Sequence, residues 1–487
     1  MPGEQSHDGF RSRYRVPQAR YRTGQVTIRS RTTLTLATAA LVCLSLGTAG
    51  SRAPAGPPPP PAPRPNVLII VTDDQRAGEG TLAVMPKTRR WLMEGGTRFR
   101  QAFSTTPLCC PARASIFSGL HAHNHGVYTN LGKLHFDHRF TMQDYLDDNG
   151  YQTGITGKLF NNWRISRRPP HFDKWSIFDG GYSNRTFNVN GQMRTVGDYS
   201  TEFIARKSVD FLKGFESRDD RPWLLYVAPC APHAPFTPQG KHKNSKVPYW
   251  DGNPAVFESN RKDKPDYVRL RNEGYERWRK NRRRQLRSLM SVDDLARDVR
   301  RTIFDLDESR DTLVFYLSDN GYMWADHGLY DKGAPYTPSI RVPFLLRYPA
   351  GSPLPAVDRR LVTNVDIAPT VLDAAGIAQH DQHPMDGTSL WDNSWDRDRI
   401  LAEYRNNDNP WTPPTWASTR TDDYQYTEYY DNGKRIFREY YDLEKDPWQL
   451  HNPLGDGVKA NNPKGISMKK LSTRLRRDRN CSGSKCP

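Results

Sequence analysis

The sequence predicts an α/β fold: a large mixed, mostly parallel sheet sandwiched by helices, with a smaller C-terminal antiparallel sheet subdomain. Three observations predict it. Short β-branched apolar runs at 66–71 (NVLIIV), 223–227 and 312–317 (TLVFYL) have the unbroken hydrophobicity of strands buried on both faces. Segments with apolar residues at helical spacing alternate with these runs, which implies a parallel sheet covered by helices. From about residue 380 turns become richer, and 423–441 reads as a hairpin about Asp431-Asn432-Gly433.

Taken in order, 1–53 reads as a leader. Arg-rich residues 11–31 precede an apolar stretch at 32–47 of signal-peptide length, and small residues from Gly47 to Ser51 place cleavage near 49–53. No Arg-Arg pair precedes the stretch, and Cys43 lies in a poor lipoprotein box. Residues 54–65 (PAGPPPPPAPRP) form a Pro-rich linker of polyproline type. The large domain occupies 66–378. Within it helices are expected over 85–94, stopped by Gly95-Gly96, over 141–148, and over 201–213, with a strand at 151–155 after Gly150. A C-terminal subdomain (379–457) and a basic tail (458–487) follow.

The 487 residues include 12 Trp, 23 Tyr and 19 Phe, enough bulk for a substantial core, so wholesale disorder is excluded. No apolar run reaches the roughly 20 residues of a membrane-spanning helix, so no stable membrane anchor is expected. Six Cys in this length are not a disulfide scaffold. An exported chain would give Cys481 and Cys486 an oxidising compartment suited to a small terminal disulfide loop. The net charge of +17 is unevenly distributed: +7 in 1–65, +8 in 261–301, +8 in 458–487, and −6 elsewhere. No nucleic-acid motif accompanies these runs, so no nucleic-acid partner is expected. They read as solvated surface, with an anionic polymer across Arg282, Arg283 and Arg284 as the alternative.

Ligand groups in parallel sheets gather past the carboxyl ends of strands. Asp73, Asp74, His233, Asp319 and Asn320 all fall there. Successive strand residues point to opposite faces, so Asp73 and Asp74 can meet one ion only if the chain turns between them. Asp319-Asn320-Gly321 repeats the arrangement on a second strand. Three carboxylates and an amide oxygen select a hard cation, Ca2+ or Mg2+, over zinc. Leu108-Cys109-Cys110-Pro111-Ala112-Arg113 is the second signal, since an Arg near a Cys stabilises its thiolate. A thiolate beside an oxygen-ligated hard metal is chemically mismatched, which suggests that sulfur is not what finally sits there.

Cys109-x-Pro111-x-Arg113 followed by 114–119 (ASIFSG) resembles the signature of type I sulfatases, in the alkaline phosphatase superfamily. Further stretches match in order: 65–67 through Asp73-Asp74-Gln75, Gly157-Lys158, 231–235 (APHAP), 318–321 (SDNG), 327–333 (HGLYDKG), 365–370 and 440–447. The resemblance implies a catalytic sulfatase domain over 66–378 in which Cys109 is converted to Cα-formylglycine by a formylglycine-generating enzyme. It implies Asp73, Asp74, Asp319 and Asn320 as Ca2+ ligands, joined by residue 109. One hydroxyl of the formylglycine hydrate attacks sulfur, and the second then expels sulfate. By the same resemblance Arg113 and Lys158 hold the hydrate, His233 protonates the leaving alcohol, and Lys332 clamps a sulfate oxygen.

Phe160 stands where many sulfatases have a His two residues after the Gly-Lys lysine. The base for sulfate release is therefore sought at His123 or His125. The Cys-Cys-Pro-x-Arg form with 121–127 (HAHNHGV) looks most like the N-acetylglucosamine-6-sulfatase branch and its bacterial relatives, which implies a sulfated sugar as substrate. Arylsulfatase, phosphonate or phosphate ester hydrolase, and non-catalytic glycan-binding relative are the alternatives. The expected location is secreted or cell-envelope.

Overall fold

A computed structural model describes residues 64–487 apart from 79, 132–134, 218–219 and 407–411. The leader and most of the linker lie outside the described residues. Sixteen strands run β1 (Asn66–Thr72), β2 (Thr97–Phe103), β3 (Gln152–Lys158), β4 (Lys174–Phe178), β5 (Arg185–Val189), β6 (Gln192–Val196), β7 (Trp223–Ala228), β8 (Thr312–Ser318), the two-residue β9 (Met323–Trp324) and β10 (Tyr330–Asp331), β11 (Phe344–Arg347), β12 (Val357–Thr363), β13 (Ile400–Tyr404), β14 (Thr415–Arg420), β15 (Tyr424–Asp431) and β16 (Lys434–Asp442). Ten form one sheet in the order β12-β2-β11-β8-β1-β7-β3-β4-β5-β6, and β13 to β16 form a separate antiparallel sheet. The large sheet is mixed and mostly parallel at its centre, where β8, β1, β7, β3 and β4 run together.

The central strands have no polar face because both faces are covered. Val67, Ile69 and Val71 of β1 enter one core, with Leu224 and Tyr226 of β7 and Phe315 of β8. Leu68 and Ile70 enter the opposite core, with Leu225, Val227 and Val314. The first core is closed by helix Cys109–Ser118, all of whose residues are buried, and by helix Ile367–Ala375. The second is closed by helices Ser200–Glu216 and Tyr275–Asp305.

Some expectations change in detail. The helix expected over 85–94 is a short α-turn, Pro86–Thr88, continued by a wider π-turn, Arg89–Met93. The following Gly96 lies so close to Leu346 that a Cβ would meet its carbonyl oxygen at 2.2 Å. The basic run within 261–301 is not simply solvated surface. Arg282 is buried, donates to the Pro248 carbonyl at 3.0 Å and stacks over Trp250 and Trp324, so it offers no face to a polymer. The basic tail contains helix Met468–Asp478, whose Leu471 and Leu475 pack on Leu401, Tyr426 and Tyr440 of the small sheet. Cys481 and Cys486 form a disulfide. The expected turn Asn432-Gly433 joins β15 to β16, both residues at positive φ as a tight hairpin requires. No helix among the described residues is long and apolar enough to cross a membrane.

Gly157, at φ +104°, sits against β7, and a Cβ there would lie 2.1 Å from the Ala228 carbonyl oxygen. Gly157→Ala is expected to destabilise the fold by about 2 kcal/mol or more, from combined strain and overpacking. Thermal or urea unfolding checks this.

Candidate active site

Strand register builds the site. Thr72 pairs with Ser318, so the next residues, Asp73 and Asp319, emerge together at the carboxyl edge of β1 and β8. The Asp319 amide donates to the Thr72 carbonyl at 3.1 Å. Asp74 has φ +68°, the chain turn that lets neighbouring carboxylates serve one point. The Asp74 amide donates to Asp319 Oδ1 at 3.2 Å, and Asn320 Nδ2 donates to Asp74 Oδ1 at 2.7 Å. All four residues are buried, and the remaining Asn320 oxygen, Oδ1, has no partner.

Cys109 opens helix Cys109–Ser118. Its Sγ lies 3.3 Å from Asp73 Oδ1 and 3.0 Å from Lys332 Nζ. Lys332 also pairs with Asp74, and Lys158 Nζ donates to Asp73 Oδ2 at 2.5 Å. Arg113, one helical turn after Cys109, donates through Nε to Asp319 Oδ2 at 2.9 Å and through Nη1 to the Lys158 carbonyl at 2.7 Å. His233 is part-exposed, with Nε2 3.6 Å from Asp74 Oδ2 and Nδ1 2.9 Å from the Ala234 carbonyl. Atoms of Asp73, Asp74, Cys109 and His233 lie within 4.8 Å of one another, close enough to surround one ion.

The electrostatics follow from burial and neighbours. Burial alone would raise Asp73, but Lys158, His233, Arg113 and Lys332 hold it well below the usual carboxylate range. Burial and the adjacent Asp73 push Asp319 up. Burial and Asp73 likewise push the Cys109 thiol well up despite Lys158 and Lys332. The Arg-stabilised thiolate expected from the sequence is therefore not favoured, and the unmodified side chain here is a weak nucleophile. Three buried carboxylates and an orphaned amide oxygen fit a hard dication.

The structure does not bring His123 or His125 to this cluster. His125 Nε2 contacts Ser115 Oγ at 3.1 Å, and Ser115 is six residues along the helix from Cys109, about 9 Å of rise. Burial drives His125 down to about 3, which makes it a poor proton acceptor. His123 is held between Glu403 at 2.9 Å and the Cys481 carbonyl at 3.0 Å, so both ring nitrogens are engaged. Phe160 lies in an aromatic cluster with Phe117, Phe136 and His138. Two supporting residues had no local signal. Tyr182 Oη donates to the His233 carbonyl, and Ser104 Oγ donates to the Asp319 carbonyl at 2.7 Å. Both act across long sequence separations. A cavity of about 720 Å3 lies beside the cluster and is lined by Cys110 and Pro111 together with Tyr128, Asn130, Glu403 and Arg405.

An oxygen-lined cation site, a side chain presented from a helix N-terminus and a ring of fixed cations have the make-up of a metal-assisted ester hydrolase. The sulfatase family model matches residues 65–377, and an N-sulphoglucosamine sulphohydrolase C-terminal model matches 325–479. The chain belongs to the sulfatase family. It is 35% identical over 365 residues to an extracellular sulfatase SULF-1 homolog of Drosophila melanogaster, an alignment covering 69% of this chain and 32% of that protein. A putative extracellular sulfatase of Caenorhabditis elegans is 32% identical, covering 67% and 48%, so the chain spans at most about half the length of these two relatives. Human N-acetylglucosamine-6-sulfatase is 29% identical over 485 residues, covering 86% of this chain and 85% of that one. A protein solved in complex with its substrate D-glucosamine-2-N,6-O-disulfate shares the fold with a TM-score of 0.73 at 23% identity, covering 85% and 97%. A phosphonate monoester hydrolase of Agrobacterium radiobacter shares it with a TM-score of 0.63 at 21% identity, covering 85% and 96%.

The half-buried, neutral His125 generates a pH-dependent stability. Its pKa is lowered on folding, so its contribution is present above the unfolded value near 6.5 and is lost as pH falls toward about 3. His125→Gln is expected to flatten the stability slope between these values by up to about 1.4 kcal/mol per pH unit. Urea midpoints of both proteins across that range check it.

Proposed function

We propose that this protein hydrolyses the sulfate ester of a sulfated sugar, of the 6-sulfated N-acetylglucosamine kind, after conversion of Cys109 to Cα-formylglycine by a formylglycine-generating enzyme. The observation that carries the reading is the residue-109 side chain held within 3.3 Å of both Asp73 and Lys332, above carboxylates whose neighbour Asn320 keeps a free oxygen. Asp73, Asp74, Asp319 and Asn320 would hold Ca2+. Residue 109, as formylglycine, would supply the attacking oxygen, and a cation held by these four residues would lower the pKa of that oxygen and polarise the sulfate. Lys332, a compact cation beside residue 109, takes a sulfate oxygen. Arg113 and Lys158 fix the nucleophile and balance the carboxylates. His233 donates its Nδ1 proton to the Ala234 carbonyl, so Nε2 can pass a proton to the leaving alcohol when the ring is doubly protonated.

The sugar assignment is supported by the 720 Å3 cavity beside Cys110 and Pro111, whose aromatic and polar lining suits a saccharide. The names of the human relative and of the disulfate-bound neighbour point the same way. Secretion or a cell-envelope location is supported by the Cys481–Cys486 disulfide and the extracellular relatives. A phosphonate or phosphate ester hydrolase is the second reading, favoured by the Agrobacterium fold neighbour.

The test begins with protein from a host that matures sulfatases. The peptide containing residue 109 should have lost one sulfur and two hydrogens and gained one oxygen, and the enzyme should turn over N-acetylglucosamine-6-sulfate. Cys109→Ala should reduce turnover to background while Cys110→Ala retains most of it. Faster turnover of the matched 6-phosphate, or no turnover once the aldehyde is present, overturns the reading. Asp319→Ala should lose both bound Ca2+ and activity, and a stoichiometric ion retained in that variant, measured by elemental analysis, refutes the ligand set.

A further inference from the structure

Five arginines from four segments line one concavity of about 530 Å3 at the seam between the two sheets: Arg98, Arg100, Arg341, Arg359 and Arg420. Arg98 and Arg100 lie two residues apart on β2 and share a face, and Arg359 comes from the neighbouring β12 beside its irregular register. Arg341 precedes β11, and Arg420 ends β14. None of these belongs to the basic runs at 261–301 or 458–487.

The charges are graded from floor to rim. Arg420 is 6% exposed at the floor, Arg98 and Arg341 are half-buried, and Arg100 and Arg359 are exposed. Arg420 donates to Thr337 Oγ1 at 2.9 Å and Gln425 Oε1 at 2.7 Å, and it stacks over Phe103, yet its Nε has no partner. Arg341 donates to the Arg100 carbonyl at 2.6 Å. Among the described residues no carboxylate forms an ion pair with any of the five. Asp422, bonded to Gln101 at 3.2 Å, is the acid that lines the cavity with them. Burial and Arg341 hold Arg420 down to about 9, and burial with Arg98 and Arg100 depresses Arg341, so the cluster is assembled against its own repulsion.

We propose that this concavity is an exosite that grips anionic groups of a sulfated polysaccharide, away from the ester being cleaved. The proposal rests on the sulfated-sugar reading for its choice of polyanion. A single sulfate engages one or two guanidinium forks and leaves the others uncompensated, whereas a chain bearing several anionic groups answers all five. The seam is also continuous with the catalytic edge. Arg341 follows Ser339 and Ile340, whose carbonyls accept from Gly321 and Ser104, the residues flanking Asp319 and Asn320 in the site. An extended anionic chain held here is thereby tethered to the same body that carries the nucleophile, which raises its effective concentration at the site.

The test uses the full chain carrying Cys109→Ala, which cannot turn substrate over, and the same chain with Arg98→Ser, Arg100→Ser and Arg359→Ser added. Each is titrated with a fluorescent heparin octasaccharide across a range of NaCl concentrations. The added substitutions should raise Kd by about tenfold or more and make its salt dependence shallower, with the melting temperature unchanged. An unchanged Kd overturns the proposal. So does displacement of the octasaccharide by millimolar inorganic sulfate at matched ionic strength, which would define a single-oxyanion pocket. In the matured enzyme the three substitutions should leave kcat/KM on N-acetylglucosamine-6-sulfate within about twofold and raise KM on the octasaccharide. Arginine-dependent binding by an enzyme that turns over no sulfated sugar keeps the exosite and removes the substrate reading, so the two failures are distinct.

Discussion

The parallel register of β1 on β8 is the constraint from which the site follows. It delivers Asp73 and Asp319 to one point inside the protein, where two carboxylates repel and neither is hydrated. Such a pair survives only if cations are delivered with it. Arg113 meets that need for Asp319, and Lys158 and Lys332 meet it for Asp73 and Asp74. Removing one partner of a buried pair of this kind typically costs about 3–5 kcal/mol, because the other charge is left stranded. Arg113 stands on the same helix as Cys109, so the interaction that tolerates the buried acid also sets the orientation of residue 109.

The apolar scaffold makes this arrangement rigid. Alternate residues of β1 enter two separate cores, so the strand cannot slip by one residue without exchanging its entire side-chain set. Helix Cys109–Ser118 is buried along its whole length and ends at Gly119, whose φ of +68° fits a left-handed cap. Phe160 is absorbed into an aromatic cluster with Phe117 and Phe136.

The small sheet does more than extend the chain. Its Ile400, Ala402 and Trp416 share a core with Phe103 and Leu361 of the large sheet, and its Glu403 fixes His123 beside the cavity next to helix Cys109–Ser118. The same seam carries the arginine concavity on another face. One packing interface thus shapes both the pocket beside the cluster and the arginine-lined hollow.

The sequence by itself determined the central strands, the antiparallel hairpin and the strand-end placement of Asp73, Asp74, His233, Asp319 and Asn320, because each rests on local pattern. Unbroken β-branched runs, Asn432-Gly433 and paired acids past strand ends carry their meaning within a few residues. The family resemblance depended on the same kind of short ordered motif. Tertiary structure alone decided that His123 and His125 lie away from residue 109, that Arg282 is interior, and that burial and Asp73 push the Cys109 thiol up. It alone gathered Arg98, Arg100, Arg341, Arg359 and Arg420, none of which forms a run in sequence. The physical reason is shared. Desolvation and Coulomb energy depend on distances between atoms from remote segments, and a linear pattern records residue types but not which remote charges fold against them.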